Sequence, residues 1–337
     1  MAVSPSLEQP PDPNAYGPTG RSEWMDVDWR DHQRWLTIAG RQVNVVDVGS
    51  GPAVVLVHGL GANWQCWLEN ICALARSRRV IAFDLPGFGN SEMPAARLSI
   101  KGYGRCIDEI MTRLGIDSAV LIGNSLGGFI AAETAIAFPA RVERMILIGP
   151  AALWNERRRA RPLATGEKIL RGYVAWLAAQ WEGVHRRPRL RKLVLRQAGV
   201  RYPLALPPEL TWELMCGTGK PGFSDALQEL LHYKIRERMP EIACPTLVVW
   251  GRNDPLVPVR QAAQYDELIS DSRGVVYEDT GHLPMLERPA RFNAEMLAFL
   301  DEDPGEQQPA PENDAPRAHG SPSAGGGGSR PPDPAVR

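Results

Sequence analysis

Cysteine is scarce and unpatterned in this 337-residue chain: Cys66, Cys72, Cys106, Cys216 and Cys244 are an odd number with no Cys-x-x-Cys pair. That argues against a disulfide framework and a thiolate zinc site, and it fits a reducing, cytoplasmic compartment. Net charge is nearly absent, at −1, which sets aside a globally basic nucleic-acid binder. Long apolar runs are missing too, so no segment reads as a bilayer span. Met1–Gly20 is rich in Pro and Ser and lacks the basic start and apolar core of a secretory signal. What the chain does have is 44% hydrophobic residues, ample for a substantial core in one large or two modest domains.

Residues 1–24 carry five prolines and little that packs, and read as a disordered arm. Structure is expected from Trp35, with Trp35–Ile38 and Val43–Val48 as a hairpin across Ala39-Gly40-Arg41. Ala53–Val57 is an unbroken apolar run, the pattern of a strand covered on both faces. Strands at Val80–Phe83, Ala119–Ile122 and Met145–Ile148 alternate with helical stretches at Trp64–Arg76, Ile100–Leu114 and the run after Ser125. After a break, Pro245–Trp250 and Val275–Tyr277 are two more strands, and Arg291–Leu300 is a closing helix. Alternation of this kind specifies a doubly wound, mostly parallel sheet, here of eight strands.

The break spans residues 151–238, where helical stretches such as Ile169–Trp181, Pro208–Met215 and Ser224–Tyr233 occur without a convincing strand. It holds 17 Lys plus Arg against 8 Asp plus Glu. The excess is concentrated in Arg157-Arg158-Arg159, Arg161 and Arg186 to Lys192, interleaved with Trp154, Trp176 and Trp181. A solvated helical face explains such a run; peripheral contact with an anionic membrane is the alternative. Residues 302–337, rich in Pro, Gly, Glu and Ser, read as a disordered tail.

The chemistry centres on Gly123-Asn124-Ser125-Leu126-Gly127-Gly128, where a buried strand turns sharply into a helix at a serine with small neighbours. This Gly-x-Ser-x-Gly turn resembles the nucleophile elbow of the α/β-hydrolase family. Three further stretches resemble that family's pattern: His58-Gly59-Leu60-Gly61, Asp84-Leu85-Pro86-Gly87-Phe88-Gly89-Asn90-Ser91, and the pairing of Asp254 after one strand with His282 after the last. The resemblance covers Trp35 to Leu300. It implies residues 25–150 and 239–301 as an α/β-hydrolase core, with 151–238 as a helical cap inserted after the sixth strand. It also implies Ser125, His282 and Asp254 as a catalytic triad, in the chain order Ser, Asp, His. The backbone N–H groups of Leu60 and Leu126 would form the oxyanion hole. His58, Asp84 and Ser91 are read as structural. Singly, Asp254 in Asn-Asp-Pro also reads as a turn former and His282 as a satisfied surface histidine.

The implied activity is hydrolysis of a small-molecule carboxylic ester, such as an acylglycerol or medium-chain acyl ester, through an acyl-enzyme and without metal or organic cofactor. Members of this fold that carry aspartate at the elbow are argued against by Ser125. Hydrolases that split carbon–carbon bonds of ring-cleavage products have similar elbows but typically carry a tryptophan soon after the histidine, where this chain has Leu283-Pro284-Met285. A non-catalytic ligand sensor or partner-binding protein on the same fold is the reading from another class.

Overall fold

The computed structural model describes residues 15–151, 153, 186–216 and 219–302. Eight strands form one sheet: β1 Gln33–Ile38, β2 Arg41–Val48, β3 Ala53–Val57, β4 Arg79–Phe83, β5 Ala119–Asn124, β6 Val142–Ile148, β7 Thr246–Gly251 and β8 Ser272–Tyr277. Their spatial order is β1-β2-β4-β3-β5-β6-β7-β8. β2 pairs antiparallel with both β1 and β4, and every other pair is parallel. The expected hairpin and the mostly parallel, eight-stranded sheet are therefore both present.

The unbroken apolar runs have a direct structural cause. Side chains alternate faces along a strand, so a sheet buried on both sides needs an apolar residue at every position. Val55, Val57, Ile81, Phe83, Leu121, Leu147 and Trp250 pack on one side of the sheet. Val54, Leu56, Val80, Ala82, Ile122, Ile148 and Val249 pack on the other. Helices α2 (Ile100–Arg113) and α3 (Leu126–Ala137) cover the first face. Helix α1 (Leu68–Ala75) and the last helix (Pro289–Asp301) cover the second. Each fully buried aliphatic side chain contributes about 1.5–3 kcal/mol from area alone.

Helix α2 starts where its sequence allows a cap: the Ser99 hydroxyl accepts the Gly102 N–H at 3.0 Å. Gly115, at φ 65°, takes the left-handed turn that ends it. Between β6 and β7 the described residues form α4 (Pro188–Gln197), α5 (Pro208–Met215) and α6 (Phe223–His232), with short 3-10 turns at Pro203–Ala205 and Arg236–Glu241 and without a strand. The helix expected over Ile169–Trp181, with Trp154, Trp176 and Trp181 and the Arg157–Arg161 cluster, lies outside the described residues. After β7 come α7 (Ala262–Leu268), α8 (Pro284–Glu287) and α9 (Pro289–Asp301).

One expected boundary is corrected. The sequence predicts a disordered arm through residue 24, but Trp24 is buried, and its indole and the Ser22 hydroxyl each donate to Glu69 at 2.8 Å. Further out, the Tyr16 hydroxyl donates to Glu287 at 2.5 Å. Proline content hid this because Tyr16 and Trp24 anchor the segment through single side chains rather than through any periodic pattern. Residues 1–14 and the expected tail from 303 onward lie outside the described residues. Among the described residues no helix is long and apolar enough to cross a membrane.

Candidate active site

The parallel strands end together. Val57 of β3 pairs with Gly123 of β5, Asn124 pairs with Ile148 of β6, and Ile148 pairs with Val249 of β7. Gly251, the last residue of β7, pairs with Tyr277 of β8. Loops leaving one sheet edge must then converge beyond it, the edge where open α/β sheets collect their chemistry. Four of those loops carry Leu60, Ser125, Asp254 and His282.

Ser125 sits between β5 and α3 with φ 54° and ψ −116°, a backbone conformation that costs a non-glycine residue about 1–3 kcal/mol. The surroundings hold it there. Its N–H donates to the Ile148 carbonyl at 3.0 Å, and its carbonyl accepts from Phe129 and Ala151, each at 3.2 Å. The flanking glycines are sterically required: a Cβ at Gly123 would lie 2.4 Å from the Gly127 carbonyl, and one at Gly127 would lie 2.0 Å from the Val57 carbonyl oxygen. So close a crossing of helix over strand leaves the serine half-buried at the edge.

His282 and Asp254 meet directly. His282 Nδ1 lies 2.6 Å from Asp254 Oδ2, with both side chains buried. The other carboxylate oxygen accepts the N–H groups of Leu256 at 2.8 Å and Val257 at 2.9 Å. The Trp250 indole donates to the Val257 carbonyl at 2.9 Å, so the loop carrying Asp254 is pinned to the strand it leaves. With Oδ2 accepting at Nδ1, the imidazole proton is held there and Nε2 is left as the basic nitrogen.

Ser125 is brought to this pair through neighbours rather than through a hydrogen bond between its hydroxyl and His282, which is not formed. The Asn124 side chain donates to the Ile148 carbonyl at 3.0 Å and to the His282 carbonyl at 3.3 Å. A Cβ on Gly149 would stand 3.2 Å from both Asp254 Oδ2 and His282 Nδ1. Sequence reading assigned no role to Asn124 or Gly149; a buried amide beside the elbow was the available signal.

Leu126 is the first residue of α3, so its N–H has no acceptor inside the helix and adds to the positive end of the helix dipole. The turn carrying Leu60 is closed by the Ala62 N–H on the Gly59 carbonyl at 3.2 Å. It abuts the elbow, since a Cβ on Gly59 would stand 3.3 Å from the Ser125 Cβ. Both backbone groups therefore belong to segments that touch the serine.

His58 occupies the same region in a different state. The Leu85 N–H donates to its Nε2 at 2.9 Å, leaving the proton on Nδ1, which donates to the Gly59 carbonyl at 2.8 Å. Both nitrogens are spent on backbone, so His58 holds the Leu60 loop to the Asp84 loop. Burial keeps its pKa below the ordinary value, outweighing the opposing pull of Asp84. The unfolded chain therefore takes up this proton first, so stability present above about pH 6.5 is lost as pH falls further. Urea midpoints measured from pH 8 to 5 will fall on the acid side, and His58→Gln will flatten that part of the dependence.

Asp84 accepts from Asn44 Nδ2, the Trp64 N–H and the Asn90 N–H at 2.8–3.0 Å, and Ser91 donates to the Asp84 carbonyl at 2.7 Å. Among the described residues no group of three or more His, Cys, Asp or Glu side chains converges for a metal ion.

A family model described as alpha/beta hydrolase fold matches residues 52–289. The chain is 31% identical over 276 residues to the 2-hydroxymuconate semialdehyde hydrolase of a Pseudomonas species, covering 80% of this chain and 94% of that protein. It is 29% identical over 265 residues to the pimeloyl-[acyl-carrier protein] methyl ester esterase of Aeromonas hydrophila, covering 74% and 96%. A meta-cleavage product hydrolase of Pseudomonas fluorescens superposes with a TM-score of 0.64 at 27% identity, covering 80% of this chain and 97% of that structure.

Proposed function

This chain belongs to the alpha/beta hydrolase fold family, and from that premise we propose that it is a serine hydrolase of small carboxylic esters acting through Ser125, His282 and Asp254. The observation that carries the reading is the His282–Asp254 contact of 2.6 Å beside a strained serine at the same sheet edge. His282 Nε2 takes the Ser125 proton as the hydroxyl attacks the ester carbonyl. The Leu60 and Leu126 N–H groups stabilise the oxyanion, and the imidazolium then protonates the leaving alcohol. Water repeats the steps on the acyl-enzyme. Helices α4 to α6 act as a cap over this edge.

A second reading is favoured by particular relatives. Hydrolysis of ring-cleavage products has support from the semialdehyde hydrolase and the meta-cleavage enzyme, as ester hydrolysis has from the methyl ester esterase. Leu283-Pro284-Met285, in place of a tryptophan-bearing segment after the histidine, tips the choice toward esters. The five free cysteines agree with a reducing, cytoplasmic setting.

Turnover of p-nitrophenyl esters of graded acyl length, measured beside a 2-hydroxy-6-oxo-dienoate ring-cleavage product, separates the readings. Ester kcat/KM should exceed that for the dienoate by at least about tenfold. The reverse order would establish the carbon–carbon reading, and stoichiometric binding without product would establish a sensor. Helix α4 exposes Arg189, Lys192 and Arg196 beside Leu193, which is 43% exposed, and this supports peripheral contact with an anionic bilayer. Vesicles containing phosphatidylserine should co-sediment the protein at low salt and release it at high salt; absence of co-sedimentation would leave the charges as a solvated face.

A further inference from the structure

One buried acid takes no part in the chemistry above, yet it surrounds the proposed base. Glu287, the last residue of α8, is fully buried. Its Oε2 accepts the Gly281 N–H and the Arg201 N–H, each at 2.9 Å, and the Tyr16 hydroxyl at 2.5 Å; its Oε1 accepts the Leu283 N–H at 3.0 Å. Gly281 and Leu283 are the residues on either side of His282. The His282 N–H itself donates to the Gly199 carbonyl at 2.9 Å, and Gly199 packs so tightly that a Cβ there would stand 2.5 Å from the His282 Cβ. Three consecutive backbone donors are thus held by two acceptors, one from α8 and one from the loop after α4.

The same carboxylate gathers segments distant in the chain. Tyr16 accepts the Tyr202 N–H at 2.8 Å while donating to Glu287, and the Tyr16 and Tyr202 rings meet edge to face at 5.0 Å. Arg288 lies over the Tyr16 ring at 5.1 Å. Burial and the neighbouring carboxylate push the Tyr16 phenol well above its ordinary pKa, so it stays a proton donor. A buried carboxylate with several donors is costly to leave partly unpaired, which makes the node all-or-none rather than graded.

We propose that Glu287 is a positioning residue for His282, and that Tyr16 and the Gly199–Tyr202 loop complete the clamp, tying the N-terminal segment and the segment after α4 to the setting of the imidazole. The proposal rests on the reading of His282 as the base, but its first readout needs no turnover. The His282 Nδ1 proton, shared with Asp254, should give a far-downfield proton NMR resonance that disappears in His282→Gln.

Glu287→Gln puts an amide NH2 among four donors. The expected results are a shifted or broadened Nδ1 resonance and a kcat lowered about 100-fold with KM changed less than about twofold, the signature of a misplaced catalytic group rather than lost substrate contact. Tyr16→Phe, at the rim of the node, should do the same more weakly, about tenfold in kcat. Should Glu287→Gln fail to fold, Tyr16→Phe decides alone. Folded variants with the resonance unmoved and kcat within twofold of the parent would overturn the clamp. Retention of turnover by Ser125→Ala would overturn the reading of the active site instead, while the resonance would still test the clamp.

Discussion

Ser125→Ala is expected to lower kcat for the best ester substrate by about six orders of magnitude while leaving the fold intact, since in the proposed mechanism nucleophile and base act as one unit. The alanine keeps the elbow's backbone, including the Ile148 hydrogen bond to the residue 125 N–H at 3.0 Å. Without the hydroxyl there is no acyl-enzyme, and what persists is the modest acceleration of bound water by oriented donors. For the same reason the double variant Ser125→Ala with His282→Ala should be no slower than the single one. Steady-state kinetics and active-site labelling with a fluorophosphonate provide the check: label at Ser125 in the parent and none in the variant. Labelling at a different serine would move the site elsewhere.

Asp254→Asn is expected to lower kcat by about four orders of magnitude through a change of tautomer rather than of shape. The Asp254 Oδ1 bonds to the Leu256 and Val257 N–H groups, at 2.8 and 2.9 Å, remain available to an asparagine oxygen. That assignment turns the NH2 toward His282 Nδ1. A donor there forces Nδ1 to accept, moves the ring proton to Nε2, and leaves no lone pair to take the Ser125 proton. The thermal midpoint should change little, while kcat/KM collapses across the pH range. Near-full activity in this variant would show that another carboxylate orients the imidazole.

Much of this arrangement was legible because its signals are local. Asn124-Ser125-Leu126 between Gly123 and Gly127 is a strand-to-helix turn with only one workable geometry, and the apolar runs at Ala53–Val57 and Ala119–Ile122 leave few options besides a sheet covered on both faces. Where the cause was a single long-range contact, the reading failed. Tyr16 lies among prolines, and nothing nearby announces that its hydroxyl reaches a carboxylate 271 residues away. In the sequence Glu287 is one charge beside Arg288-Pro289; burial, not residue type, makes it a node.

Composition, periodicity and turn chemistry by themselves determined the layered α/β architecture, because each of those properties depends on neighbours in the chain; the residues proposed for acyl chemistry came from the resemblance of short motifs to the α/β-hydrolase family. Only the tertiary structure decided that His58 has both nitrogens committed to backbone while His282 keeps one free. Two histidines near glycines look alike as letters; what separates them is which carbonyl, amide or carboxylate the folded chain brings within 3 Å of each ring nitrogen.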